Sequence, residues 1–305
     1  MVIIMTYDLI IIGSGPAGLS AAIYAKRAML DFIVIEKTGM SGGQILNTYE
    51  VDNYPGLPEI NGFDLGMKMR DHCDKLGVTF ITDDITQLSL KDTLKIAKGK
   101  IEYVAKSVIL ATGASNSKLD IDGEARLLGR GVSYCATCDG AFFRDKIVAV
   151  VGGSDVACED AIYLSRFCKK VYLIHRRDKL RATAILQNTL KSTDNIDIIW
   201  NTCITSINGK EVVENLDLID NQGEKHKLLV DGIFVAIGSS PNTAWLSDIE
   251  LSNSSHIIAT EDCKTNIDGV FACGDVRTKQ LRQVVTAVAD GANAITSLQE
   301  YLLRA

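Results

Sequence analysis

Tyr7-Asp8-Leu9-Ile10-Ile11-Ile12-Gly13-Ser14-Gly15-Pro16-Ala17-Gly18 and Lys146-Ile147-Val148-Ala149-Val150-Val151-Gly152-Gly153-Ser154-Asp155-Val156-Ala157 are two versions of one pattern. Each is a run rich in β-branched apolar residues, then glycines, then a helix-like stretch. The likeness extends outward. Ala21-Ala22-Ile23-Tyr24 matches Ala161-Ile162-Tyr163-Leu164, and Val108-Ile109-Leu110-Ala111-Thr112-Gly113 resembles Ile233-Phe234-Val235-Ala236-Ile237-Gly238. Self-similarity this long predicts two related domains. Strand, glycine turn, helix in that order predicts parallel, doubly wound sheets, so the fold class is α/β with two Rossmann-like dinucleotide-binding domains.

The second copy reads as an insertion into the first. Beyond Gly238-Ser239-Ser240-Pro241-Asn242 the chain reaches Gly269-Val270-Phe271-Ala272-Cys273-Gly274-Asp275. That segment has no counterpart in the second copy, so it is assigned back to the first domain. The expected division is 1–116 with 246–305 for the first domain and 117–245 for the second.

Composition narrows the function classes. The chain has 305 residues, 47 % hydrophobic and 23 % charged, an ordinary globular balance with ample material for a core. A net charge of −6 gives no general attraction to nucleic acid. Met1 to Ile12 is apolar but lacks a basic start, since Lys26 is the first positive side chain, and it runs into a glycine motif rather than a cleavage site. No apolar run of about 18 residues exists, so no membrane span is expected. The reading is a cytoplasmic protein.

Gly13-x-Gly15-x-x-Gly18 has the context that makes such a motif informative: a strand before it and a helix after. The first glycine makes the tight turn, the second lets backbone approach a pyrophosphate, and the third lets helix and strand pack closely. Ser14, Pro16 and Ala17 complete the turn, whose helix N-terminus offers N–H groups and partial positive charge to phosphates. Glu36 ends the next strand at the distance expected of a carboxylate that holds ribose hydroxyls.

In the second copy the corresponding strand, Val171-Tyr172-Leu173-Ile174, ends in His175-Arg176-Arg177, with Arg181 close behind. An NAD site would have an acid there. Guanidinium forks suit a 2′-phosphate, so the expected ligand is NADP(H), with His175 beside the adenine ribose. Gly152, Gly153, Ser154, Asp155, Val156 and Ala157 would form its phosphate turn, with Ile237 and Gly238 across from it. Ser154 brings a Cβ to a close-approach position, together with a hydroxyl able to donate to phosphate.

Between the two copies lies Cys135-Ala136-Thr137-Cys138-Asp139. A C-x-x-C pair serves either a zinc site or a redox dithiol. Zinc needs two more ligands at matching spacing. The other six cysteines make no second pair, and the nearest histidine is His175, so no metal is expected. A dithiol works through its thiolate, and Asp139 is the ionisable side chain immediately beside it. Asp139 is therefore the expected proton donor or acceptor in thiol exchange. The remaining cysteines are expected to be buried apolar side chains. His72, His226 and His256 are expected to be surface or satisfied histidines.

The turn Gly13 to Gly18, Ala111-Thr112-Gly113 and Ala272-Cys273-Gly274-Asp275 resemble the motifs of FAD-dependent pyridine nucleotide-disulfide oxidoreductases. The resemblance implies that FAD occupies the first domain and that Asp275 holds its ribityl chain. It also implies that Thr112 and Gly113, Gly43 and Gln44, Asn53, Arg282 and Gln283 lie near the flavin. The placement of Tyr134-Cys135-Ala136-Thr137-Cys138-Asp139-Gly140 in the second domain is similar to that in the low-molecular-weight, bacterial-type thioredoxin reductases, and this likeness covers nearly the whole chain. It implies a homodimer in which NADPH, FAD and the dithiol pass electrons in turn to thioredoxin. It further implies that Cys138 faces the flavin and that one domain rotates about linkers near Gly113 to Asp120 and Gly238 to Trp245. Either sulfur can be the one that attacks thioredoxin. Three rivals keep the FAD fold. One takes electrons from reduced ferredoxin or flavin, though such relatives tend to lose the arginines. Another is a dithiol oxidase passing electrons to oxygen, and a third is the flavoprotein of a peroxide-reducing system, which usually carries an additional N-terminal module. A nucleotide-binding redox sensor without turnover is the reading from outside the enzymes.

Overall fold

The computed structural model describes residues 6–48, 51 and 53–304. The chain divides into two compact units, one of Met1–Thr48, Ile60–Ser115 and Ser240–Ala305, the other of Tyr49–Glu59 and Asn116–Ser239.

The first unit is built on a seven-stranded sheet. The strand Thr6–Ile12 runs parallel to Phe32–Glu36 on one side and to Glu102–Leu110 on the other. Phe80–Thr82 extends the sheet in parallel beyond Phe32–Glu36. The far edge of Glu102–Leu110 is shared: Lys95–Lys98 pairs antiparallel with its first half, and Val270–Ala272 pairs parallel with its last three residues. Gln87–Ser89 pairs outside Lys95–Lys98.

Leu9 to Ile12 are buried on both faces, which is why this strand reads as an unbroken apolar run rather than an alternating one. Successive side chains point to opposite faces. Leu9 and Ile11 pack with Leu19, Ala21, Ile295 and Leu298, whereas Ile10 and Ile12 pack with Tyr103, Ile249 and Ile257. The helices Pro16–Arg27 and Val284–Leu302 supply the first of these layers. Their close approach depends on Gly291, where a Cβ would sit 2.3 Å from the Ala17 carbonyl oxygen. Ser20 Oγ adds a 2.7 Å bond to the Val288 carbonyl.

The second unit repeats the plan. Ile147–Gly152 lies between Lys170–Ile174 and Gly232–Ala236, all parallel, with Ile196–Ile199 and Val132–Ser133 at the edges. The helix Asp155–Ser165 packs Ala157, Ala161 and Leu164 against Val148, Val150 and Phe234. On the other layer Ala149, Val151 and Ile233 pack against Ile204, Ile207, Leu216 and Leu218. Those residues come from an antiparallel sheet of Thr202–Asn208, Asn215–Asp220 and Lys225–Leu229. Ala114–Asn116 and Ser239–Pro241, where the chain leaves and re-enters the first unit, pair as a two-stranded ladder.

Two expectations are corrected. Cys203 is exposed, while the other five unpaired cysteines are buried. It falls on the outward side of a strand whose neighbours Thr202 and Ile204 point inward, so alternation overrides the residue's preference for the core. His256 is buried with Nδ1 3.0 Å from Ser254 Oγ, but its Nε2 has no hydrogen-bond partner among the described residues, so it is not a fully satisfied histidine there.

Candidate functional site

The first glycine turn is shaped by what surrounds it. Gly13 has φ +102°, and a Cβ there would meet the Ala111 carbonyl at 2.4 Å. At Gly18 a Cβ would lie 2.0 Å from the Gly13 carbonyl, so strand and helix touch only because this residue has no side chain. Gly15 differs: a Cβ would meet nothing nearer than Gly43 Cα at 3.9 Å. Its missing side chain leaves room beside the helix N-terminus, where Pro16 occupies the first turn. Glu36 Oε2 accepts from Ser14 N at 2.8 Å and from Ser14 Oγ at 2.6 Å, which fixes the carboxylate at the turn. The Ser14 carbonyl accepts from Gly42 N, and Gln44 Nε2 donates to the Ala114 carbonyl at 2.6 Å. Thr112 Oγ1 bonds the Asn242 carbonyl. Asn53 is exposed. The turn thus gathers Glu36 and Gly43 around it, with Ala111 and Thr112 underneath.

Gly274 and Asp275 join the same place. Gly274 has φ +77°, and a Cβ would come 2.9 Å from Ala17 Cβ. Burial pushes the Asp275 carboxyl above its ordinary value, and the Lys279 and Arg282 charges offset this only in part. Asp275 Oδ1 and Arg282 Nε are both buried with no hydrogen-bond partner among the described residues. Buried polar atoms carry a cost of about 1–3 kcal/mol each when left unpaired, so two in one cradle mark a place built for a polar ligand. An extended molecule with phosphates at one end and hydroxyls along its chain fits these donors and acceptors.

Sequence reasoning missed what holds Gly274. Asp290 accepts from Gly274 N at 2.8 Å and receives a two-pronged bond from Arg277, Nη2 at 2.6 Å and Nε at 2.9 Å. Lys279 Nζ adds a further bond at 2.8 Å. Burial raises the Asp290 carboxyl, but the hydrogen bonds from Arg277 and Lys279 outweigh it and hold the group below its ordinary value.

In the second unit, Gly152 lies against the Ala236 carbonyl and Ala157. The ring of His175 is buried, and a Cβ on Gly153 would lie 2.2 Å from its Cε1. Its Nε2 sits 3.0 Å from the Lys179 carbonyl. The sequence reading set this ring beside a ribose; the structure sets it beneath the glycine turn. Arg176, Arg177 and Arg181 are exposed, and Arg181 N donates to the Gly153 carbonyl at 2.7 Å, which draws that arginine to the turn. Asp155 Oδ1 accepts from Thr183 N at 2.7 Å. Ser154 has extended backbone with φ −90°, which a serine adopts without strain, and Val156 is exposed. Ser117 N donates to the Gly238 carbonyl, and Ile237 borders the core.

Cys135 and Cys138 are joined as a disulfide, both half-buried. Cys135 caps the short helix Ala136–Asp139 and its carbonyl accepts from Asp139 N at 3.1 Å, which places the carboxylate one turn from the first sulfur. Burial pushes the Asp139 carboxyl above its ordinary value, partly offset by Ser133. Asp139 Oδ2 lies 2.5 Å from Ser133 Oγ, and Oδ1 is buried without a partner among the described residues. Ser133 carries no motif and was not visible from the sequence. Such a site can open and close a disulfide with a proton source at hand.

Comparison with known proteins agrees with this geometry. Residues 7–291 match the family model of pyridine nucleotide-disulphide oxidoreductases. A thioredoxin reductase of Bacillus subtilis is 45 % identical over 302 residues, 97 % of this chain and 95 % of that one. One of Peptoclostridium acidaminophilum is 45 % identical over 306 residues, 97 % of each. The crystal structure of thioredoxin reductase from Streptococcus pyogenes superposes with a TM-score of 0.94 at 43 % identity, covering 98 % of this chain and 99 % of that one.

Proposed function

The chain belongs to the pyridine nucleotide-disulphide oxidoreductases, and on that premise we propose that it reduces the disulfide of thioredoxin with electrons from NADPH, through FAD and the Cys135/Cys138 dithiol. The observation that carries this reading is the Cys135–Cys138 disulfide with a buried, protonatable Asp139 beside it, in a chain that also holds two dinucleotide turns.

FAD, when bound, accepts hydride from NADPH and returns two electrons to a disulfide. In the first unit the N–H groups at the Gly13 to Gly18 turn hold the pyrophosphate and Glu36 the ribose hydroxyls. Asp275 would pair its orphaned oxygen with the ribityl chain, and Arg282 would lie near the flavin. Gly43, Gln44, Thr112, Gly113 and Gln283 complete that binding site. In the second unit Gly152, Gly153 and Ser154 to Ala157 form the NADPH turn, Ile237 and Gly238 border it, and Arg176, Arg177 and Arg181 grip the 2′-phosphate. His175 seats Gly153 from below.

Once Cys135 and Cys138 are free thiols, one thiolate attacks a sulfur of the thioredoxin disulfide. A mixed disulfide forms and a thioredoxin thiolate leaves, taking its proton from Asp139. The second cysteine gives its proton to the Asp139 carboxylate and attacks the first; the mixed-disulfide bond breaks as the Cys135–Cys138 bond closes, and the second thioredoxin thiolate leaves, taking that proton back, so reduced thioredoxin is released. A carboxyl raised by burial suits this donor role, because its acid form survives nearer to neutral pH.

Mixing the flavin-loaded protein with NADPH without oxygen tests the reading. Rapid bleaching of the flavin absorbance is expected. Bleaching by dithionite but not by NADPH would overturn NADPH as donor and favour a ferredoxin-type donor or an oxidase. Replacing Arg176 and Arg177 by alanine is expected to raise KM for NADPH about 10–100-fold, the worth of lost charge-assisted bonds, with little change for NADH. Equal losses with both nucleotides would exclude the 2′-phosphate role.

The homodimer and the cytosolic setting are part of this proposal. Among the described residues no helix is long and apolar enough to cross a membrane, and a transient dithiol suits a reducing compartment. Sedimentation of the purified protein at twice the chain mass is the expected result.

A further inference from the structure

We infer that Ser133 is a positioning residue that sets the proton affinity of Asp139 by bonding its carboxylate form. The inference rests on the proposed acid–base role of Asp139. Ser133 lies at the edge of the second unit's parallel sheet, is 4 % exposed, and belongs to neither glycine motif. Its hydroxyl oxygen accepts from Cys135 N at 3.0 Å. Its single proton has two acceptors within reach, Asp139 Oδ2 at 2.5 Å and the Cys135 carbonyl at 3.3 Å.

A hydroxyl has one proton to give, so the two acceptors compete. When Asp139 is ionised, the bond to Oδ2 is charge-assisted and wins. When Asp139 is protonated on Oδ1, Oδ2 is an ordinary carbonyl oxygen, and the Cys135 carbonyl becomes a comparable acceptor. Oδ2 is committed to Ser133, so Oδ1, buried and unpartnered among the described residues, is the oxygen left to exchange a proton with sulfur. In that step the O–H bond at Oδ1 breaks, an S–H bond forms on a thiolate, and the carboxylate left behind takes the full Ser133 bond. Burial favours the protonated form of Asp139. The hydroxyl counters that tendency and lets the group cycle, and the Cys135 N–H bond holds the same oxygen in place through both states.

The test uses the flavin-loaded protein, its dithiol reduced with dithiothreitol. Alkylation of Cys135 and Cys138 by iodoacetamide is followed across pH for wild type, Asp139→Asn, Ser133→Ala and Ser133→Thr. The inflection that Asp139→Asn removes is the one that belongs to Asp139. In Ser133→Ala it is expected to move upward by about one to two pH units, the size of a lost hydrogen bond to a charged group. Ser133→Thr keeps the hydroxyl and is expected to stay near wild type. In the Asp139→Asn background, Ser133→Ala should move nothing further. An unmoved inflection in Ser133→Ala, or an equal shift in Ser133→Thr, overturns the inference and leaves the role of Asp139 standing. An inflection that persists in Asp139→Asn overturns both. Should Ser133→Ala fail to fold, Ser133→Gly also lacks the hydroxyl and carries the same expectation.

Discussion

Replacing Cys138 by serine is expected to lower thioredoxin-disulfide reduction by about 10³-fold or more, while NADPH still bleaches the flavin. The separation follows from the order of events. Flavin and nicotinamide, when bound, would need no sulfur for hydride transfer, whereas release of reduced thioredoxin needs a second cysteine to resolve the mixed disulfide. Cys135→Ser should show the same loss. The two variants differ in what they can form: the one that keeps the attacking sulfur should give a mixed disulfide with oxidised thioredoxin, reversible through thioredoxin's own freed thiol and therefore captured by acid quenching before mass measurement. Neither is expected to unfold the protein. A loop this short contributes about 2 kcal/mol of chain-entropy stabilisation at most, and the surrounding unit has its own parallel sheet and two apolar clusters. Thioredoxin reduction at the wild-type rate in either variant would remove the dithiol from the pathway.

The legible parts of this chain are those where local backbone demands show in the residues. Gly13 and Gly18 are needed because carbonyls stand where a Cβ would be, and such crowding leaves a glycine in the sequence. The unbroken apolar runs at Leu9 to Ile12 and Val148 to Val151 reflect burial on both faces of parallel sheets. The C-x-x-C pair left zinc and a dithiol both open by spacing; the want of two further ligands at matching spacing favoured the dithiol, and the two cysteines are joined as a disulfide. Other features were hidden because they arise only on folding. His175 stands beside the arginines in the chain, which suggested a ligand contact, yet the strand's direction turns its ring under Gly153. Ser133 matters because the short helix after Cys135 brings Asp139 back toward it. Cys203 shows that a residue fond of the core follows the pleat of its strand. Asp290 sits mid-helix with no motif to mark it. Its partners lie 11 and 13 residues upstream, too far for helical pairing to reveal them.

That hidden carboxylate underlies the other large effect. Replacing Asp290 by alanine is expected to destabilise the first unit by about 3–5 kcal/mol, because Lys279 and Arg277 lose their buried counter-charge and Arg277 keeps only the exposed Glu261 at 3.7 Å. For a unit of this size that is a fall in melting temperature on the order of 10 °C. The loss should carry to the cofactor. Asp290 also holds Gly274 N, and with it the left-handed turn that presents Asp275. FAD is therefore expected to wash out of the variant more readily than from wild type, read as flavin retained per protein on gel filtration. The sign of the pH effect follows from the held-down carboxyl. A group whose folded value lies below its unfolded value stabilises fully above the unfolded value, about 3.9, and its contribution fades as pH falls through the folded one. Wild type should lose this advantage over Asp290→Asn only in acid below about pH 4 and keep it at neutrality. If charge left unpaired is the cause, removing the whole triad should repair it. Arg277→Met, Lys279→Met and Asp290→Leu together are expected to recover most of the lost stability, since apolar replacement of a buried ion group is often neutral. Flavin retention should recover less, because the bond to Gly274 N is still missing. Equal recovery of both would mean that Asp290 serves the core and has no part in shaping the Gly274–Asp275 turn.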